Sequence, residues 1–251
     1  WHVTSGKCLH KIQLPEGNSV LCLDFVEDAS RFAVGCKDAT IRVYDEATKE
    51  ETTLLEGLPG FGAGSAPGHS NRVFCVKWHP ELRDCLVSGG WDNTVQIWDV
   101  RQGRSVRSIY GPHIAGDALD VAGNVLLSGS YRNEESLQLW DFHSGSLIET
   151  IPWETGPGSS SQCKIYAAKF SRGRDPRLFA AAGSDANEAR VFDFQRGNEI
   201  VGSVSGLERG VFALDFSPSG EKVAFAGGDC AIRIVDVIPS ENGFGHEVGT
   251  F

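Results

Sequence analysis

The 251-residue sequence contains no methionine, no C-x-x-C pair and no apolar run near the roughly 18 residues a membrane-spanning helix needs. The absent run excludes a helical membrane anchor within these residues, and no signal-peptide pattern opens the chain. No His, Cys, Asp and Glu cluster has metal-ligand spacing, and no glycine fingerprint for a dinucleotide follows a strand, so no metal or cofactor is expected. Apolar residues nowhere keep a helical period. Basic residues are in the minority, 23 Lys and Arg against 33 Asp and Glu, for a formal net charge of -10. That balance argues against nucleic acid or an anionic membrane surface as the main partner. The seven cysteines, Cys8, Cys22, Cys36, Cys75, Cys85, Cys163 and Cys230, are odd in number and lie mostly within or beside predicted strands. They read as reduced residues of an intracellular protein rather than as a disulfide framework. Lacking methionine and opening on what looks like a strand end, the sequence is expected to be a fragment.

What is present is a repeat. Leu86 to Arg101 reads as two short strands around a tight turn. Leu86, Val87 and Ser88 suit a buried strand, Gly89 to Asn93 supply turn chemistry, and Thr94 to Trp98 alternate so that Val95 and Ile97 share a face. Weaker copies run from Phe32 to Asp45, Val125 to Asp141, Leu178 to Asp193 and Val223 to Asp236. The closing residues Asp45, Asp99, Asp141, Asp193 and Asp236 are spaced by 54, 42, 52 and 43 residues. The two long intervals carry the insertions Gly57 to Pro67 and Glu154 to Gln162. Strands of four to six residues between Gly, Pro, Asn and Asp predict an all-β array.

Gly68-His69 opening the best repeat and Trp98-Asp99 closing it resemble the WD-repeat family, whose period is about 40–45 residues with four strands per propeller blade. The resemblance implies a β-propeller of four-stranded antiparallel blades. Residues 1–17 are expected to end an earlier blade, with 7–14 as its outer strand. Full repeats then fall near 18–56, 68–110, 111–152, 163–206 and 207–251. Five repeats and part of another imply a portion of a seven-bladed ring.

His69, Ser88 and Asp92 supply the groups of a hydrolytic triad. In the WD repeats that this one resembles, however, the turn Asp bonds the His, the His bonds the strand Ser, and the Ser bonds the Trp indole. Asp92, His69, Ser88 and Trp98 match all four positions, which makes a structural tetrad the reading. The other repeats lack the full set: Val34 replaces the serine, and Tyr44, Phe192 and Val235 replace the tryptophan. Those blades are expected to depend on apolar packing.

The family lines its upper rim with the start of the innermost strand and the residue before the turn Asp. Those positions hold Arg72, Phe74 and Trp91 in the second repeat, Lys164 and Tyr166 in the fourth, and Phe212 in the fifth. Aromatic and Arg side chains at a rim suit partner binding. Leu86 to Arg101 also resembles the longer box of WD-repeat receptors in cullin–RING ubiquitin ligases, in which Asp99 and Arg101 would serve contact with the ligase adaptor. The sequence thus predicts a noncatalytic scaffold that binds proteins or peptide segments in a larger assembly, with a ligase substrate receptor as the alternative. An enzyme using the central channel is the contrasting class. Several carboxylates or histidines in the channel would favour it, and an aromatic rim with few titratable groups would favour binding. The expected setting is intracellular and cytoplasmic, with the nucleus or a cytoskeletal assembly as further options.

Overall fold

The computed structural model describes residues 1–57, 68–153, 162–172, 176–237 and 249–250. Each repeat forms one antiparallel four-stranded sheet, with its strands neighbouring one another in chain order. The first contains β1 (Val20–Phe25), β2 (Arg31–Cys36), β3 (Ile41–Asp45) and β4 (Glu51–Leu55). The second contains β5 (Val73–Trp78), β6 (Cys85–Gly90), β7 (Thr94–Asp99) and β8 (Arg104–Tyr110). The third contains β9 (Leu119–Ala122), β10 (Val125–Gly129), β11 (Leu137–Asp141) and β12 (Leu147–Thr150). The fourth contains β13 (Lys164–Phe170), β14 (Leu178–Ser184), β15 (Ala189–Asp193) and β16 (Glu199–Val204). The fifth contains β17 (Val211–Phe216), β18 (Lys222–Gly227), β19 (Ile232–Asp236) and β20 (Gly249–Thr250). This is the all-β blade array of a β-propeller.

Successive sheets meet mainly through their first strands, so β1, β5, β9, β13 and β17 lie innermost. The core is not one mass but a series of layers between blades. Ile41, Val43 and Leu55 of the first blade pack with Val76, Trp78, Leu86 and Trp98 of the second. Similar layers join the second blade to the third, the third to the fourth and the fourth to the fifth. A middle strand therefore has a neighbour on both faces, which is why Leu86 to Gly90 and Thr94 to Trp98 are buried throughout. The outward faces of the first and last sheets are more open. Leu23 and Phe25 are 48% and 46% exposed, and Ile232 and Ile234 are 62% and 46% exposed.

The strand expected over 7–14 does not form. A single His2–Lys7 bridge is the ladder contact there, and Leu14 instead seats on the cluster of Phe32, Val34, Cys36 and Tyr44. In the third repeat the sequence pattern predicts a first strand over 117–121. The strand instead begins at Leu119, opposite Ser128, after Gly116, which is pressed against the fourth blade. A Cβ at Gly116 would lie 2.4 Å from the Tyr166 carbonyl oxygen. The two expected insertions and the middle of the Arg172 to Arg177 loop lie largely outside the described residues, as does most of the final strand expected near 246–250.

Candidate functional site

The second blade closes on a hydrogen-bonded chain. His69 Nδ1 lies 2.8 Å from Asp92 Oδ2 and His69 Nε2 lies 2.7 Å from Ser88 Oγ. The Trp98 indole donates to the same hydroxyl at 2.7 Å. Asp92 also accepts from the Ser70 amide and the Thr94 hydroxyl, both at 2.9 Å. Burial works to raise the Asp92 carboxyl, but His69, Ser70 and Thr94 outweigh it and hold the group below its ordinary range. Ser88 and Trp98 are fully buried. With its proton given to the imidazole, the indole on its oxygen and no exposure to solvent, Ser88 cannot meet a substrate, so the arrangement is structural chemistry rather than nucleophilic chemistry.

The upper rim is built by β-bulges. The ladder between first and second strands skips one residue near its start in four blades, between Val20 and Cys22, Val73 and Cys75, Ile165 and Ala167, and Val211 and Ala213. The skipped residues are Leu21, Phe74, Tyr166 and Phe212. A bulge takes a residue out of the pleat and re-aims its side chain. Phe74 stacks on Trp91 at 5.0 Å between centroids, and the Arg72 guanidinium lies 5.2 Å over the same indole. Trp91, 39% exposed, also stacks at 6.2 Å on His113, whose Nδ1 lies 2.7 Å from Asn93 Oδ1. Across the rim, Tyr166 packs on Tyr131 at 5.1 Å and edge-on to Phe212 at 4.9 Å. Lys164 lies 5.2 Å over the Tyr131 ring and 2.9 Å from Asp185. Burial and the neighbouring Tyr131 push the Tyr166 phenol up to about 12. The structure therefore brings Arg72, Phe74 and Trp91 together in one aromatic group and Lys164, Tyr166 and Phe212 in another. His113 and Tyr131 also belong to these groups, although the sequence reading left them out of the rim.

Asp99 and Arg101 lie at the other end of β7. Asp99 caps the turn after that strand, accepting from the Arg101 and Gln102 amides at 2.9 and 3.1 Å. Its carboxylate is spent locally, so of this pair only the exposed Arg101 side chain faces outward.

The channel wall departs from the sequence reading. At one equivalent register position the five inner strands carry Asp24, Lys77, Asp120, Lys169 and Asp215, an alternation of sign. Asp24 accepts from the Trp78 amide of the next blade at 2.7 Å, and Asp120 from the Phe170 amide at 2.9 Å. Asp117, which precedes β9 at the register place of Phe74, lies 2.9 Å from Lys77 and 3.0 Å from Lys169. Arg172 closes on Asp215 at 2.8 Å. Burial raises the Asp24 and Asp120 carboxyls. It acts on Asp117 in the same direction, but Lys77 and Lys169 overcome it and bring that group down to about 2. Asp24, Lys77, Asp117, Asp120, Lys169 and Arg172 border a cavity of about 840 Å³ at the end of the channel away from Trp91. Several titratable groups in the channel are the feature that the sequence criterion sets on the side of an enzyme. The signal was legible once the inner strands were aligned, as Leu-Asp-Phe, Val-Lys-Trp, Leu-Asp-Val, Ala-Lys-Phe and Leu-Asp-Phe.

The fourth blade corrects a second expectation, that blades lacking the tetrad depend on apolar packing. There the Trp153 indole donates to Glu188 Oε1 at 2.5 Å, and Arg190 pairs with the same oxygen at 2.7 Å while lying 4.4 Å over the indole ring. All three side chains are buried. In the third blade Trp140 keeps its bond to Ser128 at 2.9 Å.

Comparison with known proteins fits this geometry. The family model for the WD domain, G-beta repeat, matches residues 6–45, 63–99 and 198–236. The WD repeat-containing protein srw1 of Schizosaccharomyces pombe is 22% identical over 90% of this chain and 44% of its own length. Cell division cycle 20.1, cofactor of APC complex, of Arabidopsis thaliana is 21% identical over 94% of this chain and 58% of its own. The chain spans about half the length of these relatives. A chain in the crystal structure of the mitotic checkpoint complex superposes with a TM-score of 0.69 at 20% identity, covering 89% of this chain and 64% of that one. This structural likeness shows the fold.

Proposed function

Because the chain belongs to the WD-repeat family, we propose that it works as a noncatalytic adaptor, a rigid propeller that holds protein segments within a larger assembly. The observation that carries this reading is the bulged rim. Four inner strands each turn one side chain out of the ladder, and three of the four are aromatic. Large rings held by their neighbours bury area at low entropy cost, which suits a binding hot spot. The relative described as a cofactor of a complex supports the same general role.

The channel carboxylates weigh towards an enzyme on the criterion of number alone. Their bonding weighs against it. Asp24 and Asp120 receive backbone amides, while Asp117 and Asp215 are paired with Lys77, Lys169 and Arg172. Groups tied in this way stitch blade to blade, and the one thiol among them, Cys75, which donates to Asp117 at 3.3 Å, is fully buried and held in its unreactive protonated form by burial. The proposal also includes an intracellular, cytoplasmic setting, which the unpaired cysteines support.

A second reading, a ligase substrate receptor, is favoured by one observation, the exposed Arg101 beyond β7. The strand separates the two readings, since Trp91 precedes it and Arg101 follows it. In pull-downs of native partners, Trp91→Ala is expected to weaken capture by about 2 kcal/mol or more, and Arg101→Ala to leave it intact. The reverse pattern supports the receptor. If neither variant releases a partner, both surfaces are wrong.

A further inference from the structure

The rings of the upper rim form one continuous track from the second blade to the fifth. Phe74 stacks on Trp91, and Trp91 on His113. The Tyr131 amide donates to the His113 carbonyl at 2.9 Å, which carries the line into the third blade's turn. Tyr131 then meets Tyr166, and Tyr166 meets Phe212. Trp91, Tyr131 and Phe212 remain 39%, 37% and 46% exposed. Two of these three rings already carry a cation of the chain itself, Arg72 over Trp91 and Lys164 over Tyr131. A partner's lysine or arginine would have to displace them. Charges beside the track offset one another, since Glu134 and Glu135 share a turn with Arg132, and Glu208 adjoins Arg209. At the rings themselves the hydrogen-bonding capacity is one-sided. Asn93 Oδ1 is engaged by His113 and Asp185 by Lys164. Among the described residues, the Arg72 guanidinium and the Trp91 indole N–H have no hydrogen-bond acceptor.

We propose that this track takes an uncharged, proline-rich segment of a partner protein in the polyproline II conformation. Such a segment makes no internal hydrogen bonds, so its carbonyls are free to accept from Arg72 and Trp91. Its prolines lack the N–H for which the rings have no acceptor, and they dock well on aromatic side chains. Being extended, the segment meets the rings one after another and needs no single side chain to bridge distant ones. Offsetting charges beside the track favour an uncharged segment over an acidic or a basic one. The inference rests on the adaptor reading and names the chemistry of what that rim holds.

The test is fluorescence anisotropy on the full chain with short labelled peptides of equal length: a proline-rich one, its counterpart with alanine for proline, a Glu-rich one and a Lys-rich one. The proline-rich peptide is expected to bind best, with little change as salt rises. Trp91→Ala is expected to weaken it about 30-fold, as for a hot spot, and Tyr131→Ala about tenfold. Trp91→Phe, which keeps a packed ring but removes the N–H, is expected to weaken it about fivefold, and it carries the test if Trp91→Ala melts early. Equal or tighter binding of any other peptide, or no response to either Trp91 variant, overturns the proposal. Native partners lost on Trp91→Ala but not displaced by the proline-rich peptide overturn the proline assignment and leave the adaptor reading standing. Partners kept on Trp91→Ala overturn the two together.

Discussion

The second and fourth blades fill the same socket with opposite chemistry. Beside the aromatic of β7 stands His69, its ring 6.2 Å from Trp98; beside the aromatic of β15 stands Trp153, 6.1 Å from Phe192. In the second blade the ring from the incoming segment is a hydrogen-bonding imidazole, tied to Asp92 and Ser88. In the fourth, Ala181 stands at the register place of Ser88 and Arg190 at that of Gln96. The indole there reaches Glu188, which Arg190 holds. Each solution fastens an incoming loop to a turn and gives its ring nitrogens and its carboxylate hydrogen-bond partners. What the fold requires at this place is a ring plus polar satisfaction, not a fixed set of residues. The two solutions differ in what remains when one member is removed.

Removal should cost most in the fourth blade. Glu188→Ala leaves the Arg190 charge buried without this carboxylate and the Trp153 indole without its acceptor, so a loss of about 3–5 kcal/mol is expected. Replacing both partners by apolar residues, Glu188→Leu with Arg190→Met, should recover most of it, since a buried ion pair is often worth little more than well-packed hydrophobes. Urea denaturation of the two variants measures the difference. A double variant as unstable as the single one would show that the ion pair is not what sets the fourth blade apart.

The same cut in the second blade leaves unsatisfied groups beside no buried guanidinium. Asp92→Ala takes the acceptor from His69 Nδ1, the Ser70 amide and the Thr94 hydroxyl, at an expected cost of about 1–3 kcal/mol. If its urea midpoint falls as far as that of Glu188→Ala, the two sockets are energetically alike and the contrast fails.

These two blades also mark what could be read beforehand. The second was legible because its residues fall on a recurrent pattern, Gly68-His69 and Trp98-Asp99 at the ends of one repeat. The fourth was not, because Trp153 lies 35 residues before Glu188 in sequence, and no local spacing announces that an indole will fold back onto a carboxylate. Strand positions were set by alternation and turn residues, and the pairs read at Leu86 to Ser88 and Thr94 to Trp98 fall within β6 and β7. The bulges were invisible as bulges. Yet Phe74, Tyr166 and Phe212 drew notice as aromatics at strand starts, where an unpaired residue can face outward. Single strands could not disclose the alternating channel wall, because its sign pattern exists only between blades.

The smallest effect expected concerns Asp117, the side chain that joins the two compared blades across the third. It lies between Lys77 of β5 and Lys169 of β13, at 2.9 and 3.0 Å. Its carboxyl is at about 2 against an ordinary 3.8, so the stabilisation it gives is complete above about pH 4 and is lost as pH falls towards 2. The side chain is 43% exposed to the channel, and solvent screening reduces that contribution to about 1 kcal/mol. Asp24 and Asp120 act oppositely. Their carboxyls are raised by burial, so the folded state gains as pH falls from neutrality through the raised values towards 4. The wild-type stability profile should therefore climb on mild acidification and drop below pH 4. In Asp117→Asn the drop should shrink while the climb remains, because the asparagine still accepts a hydrogen bond but has no charge to lose. Urea midpoints measured from pH 7 to pH 2.5 resolve the two limbs. An unchanged limb below pH 4 would mean that Asp117 does not bind the second and fourth blades through its charge, and that each stands on its own socket.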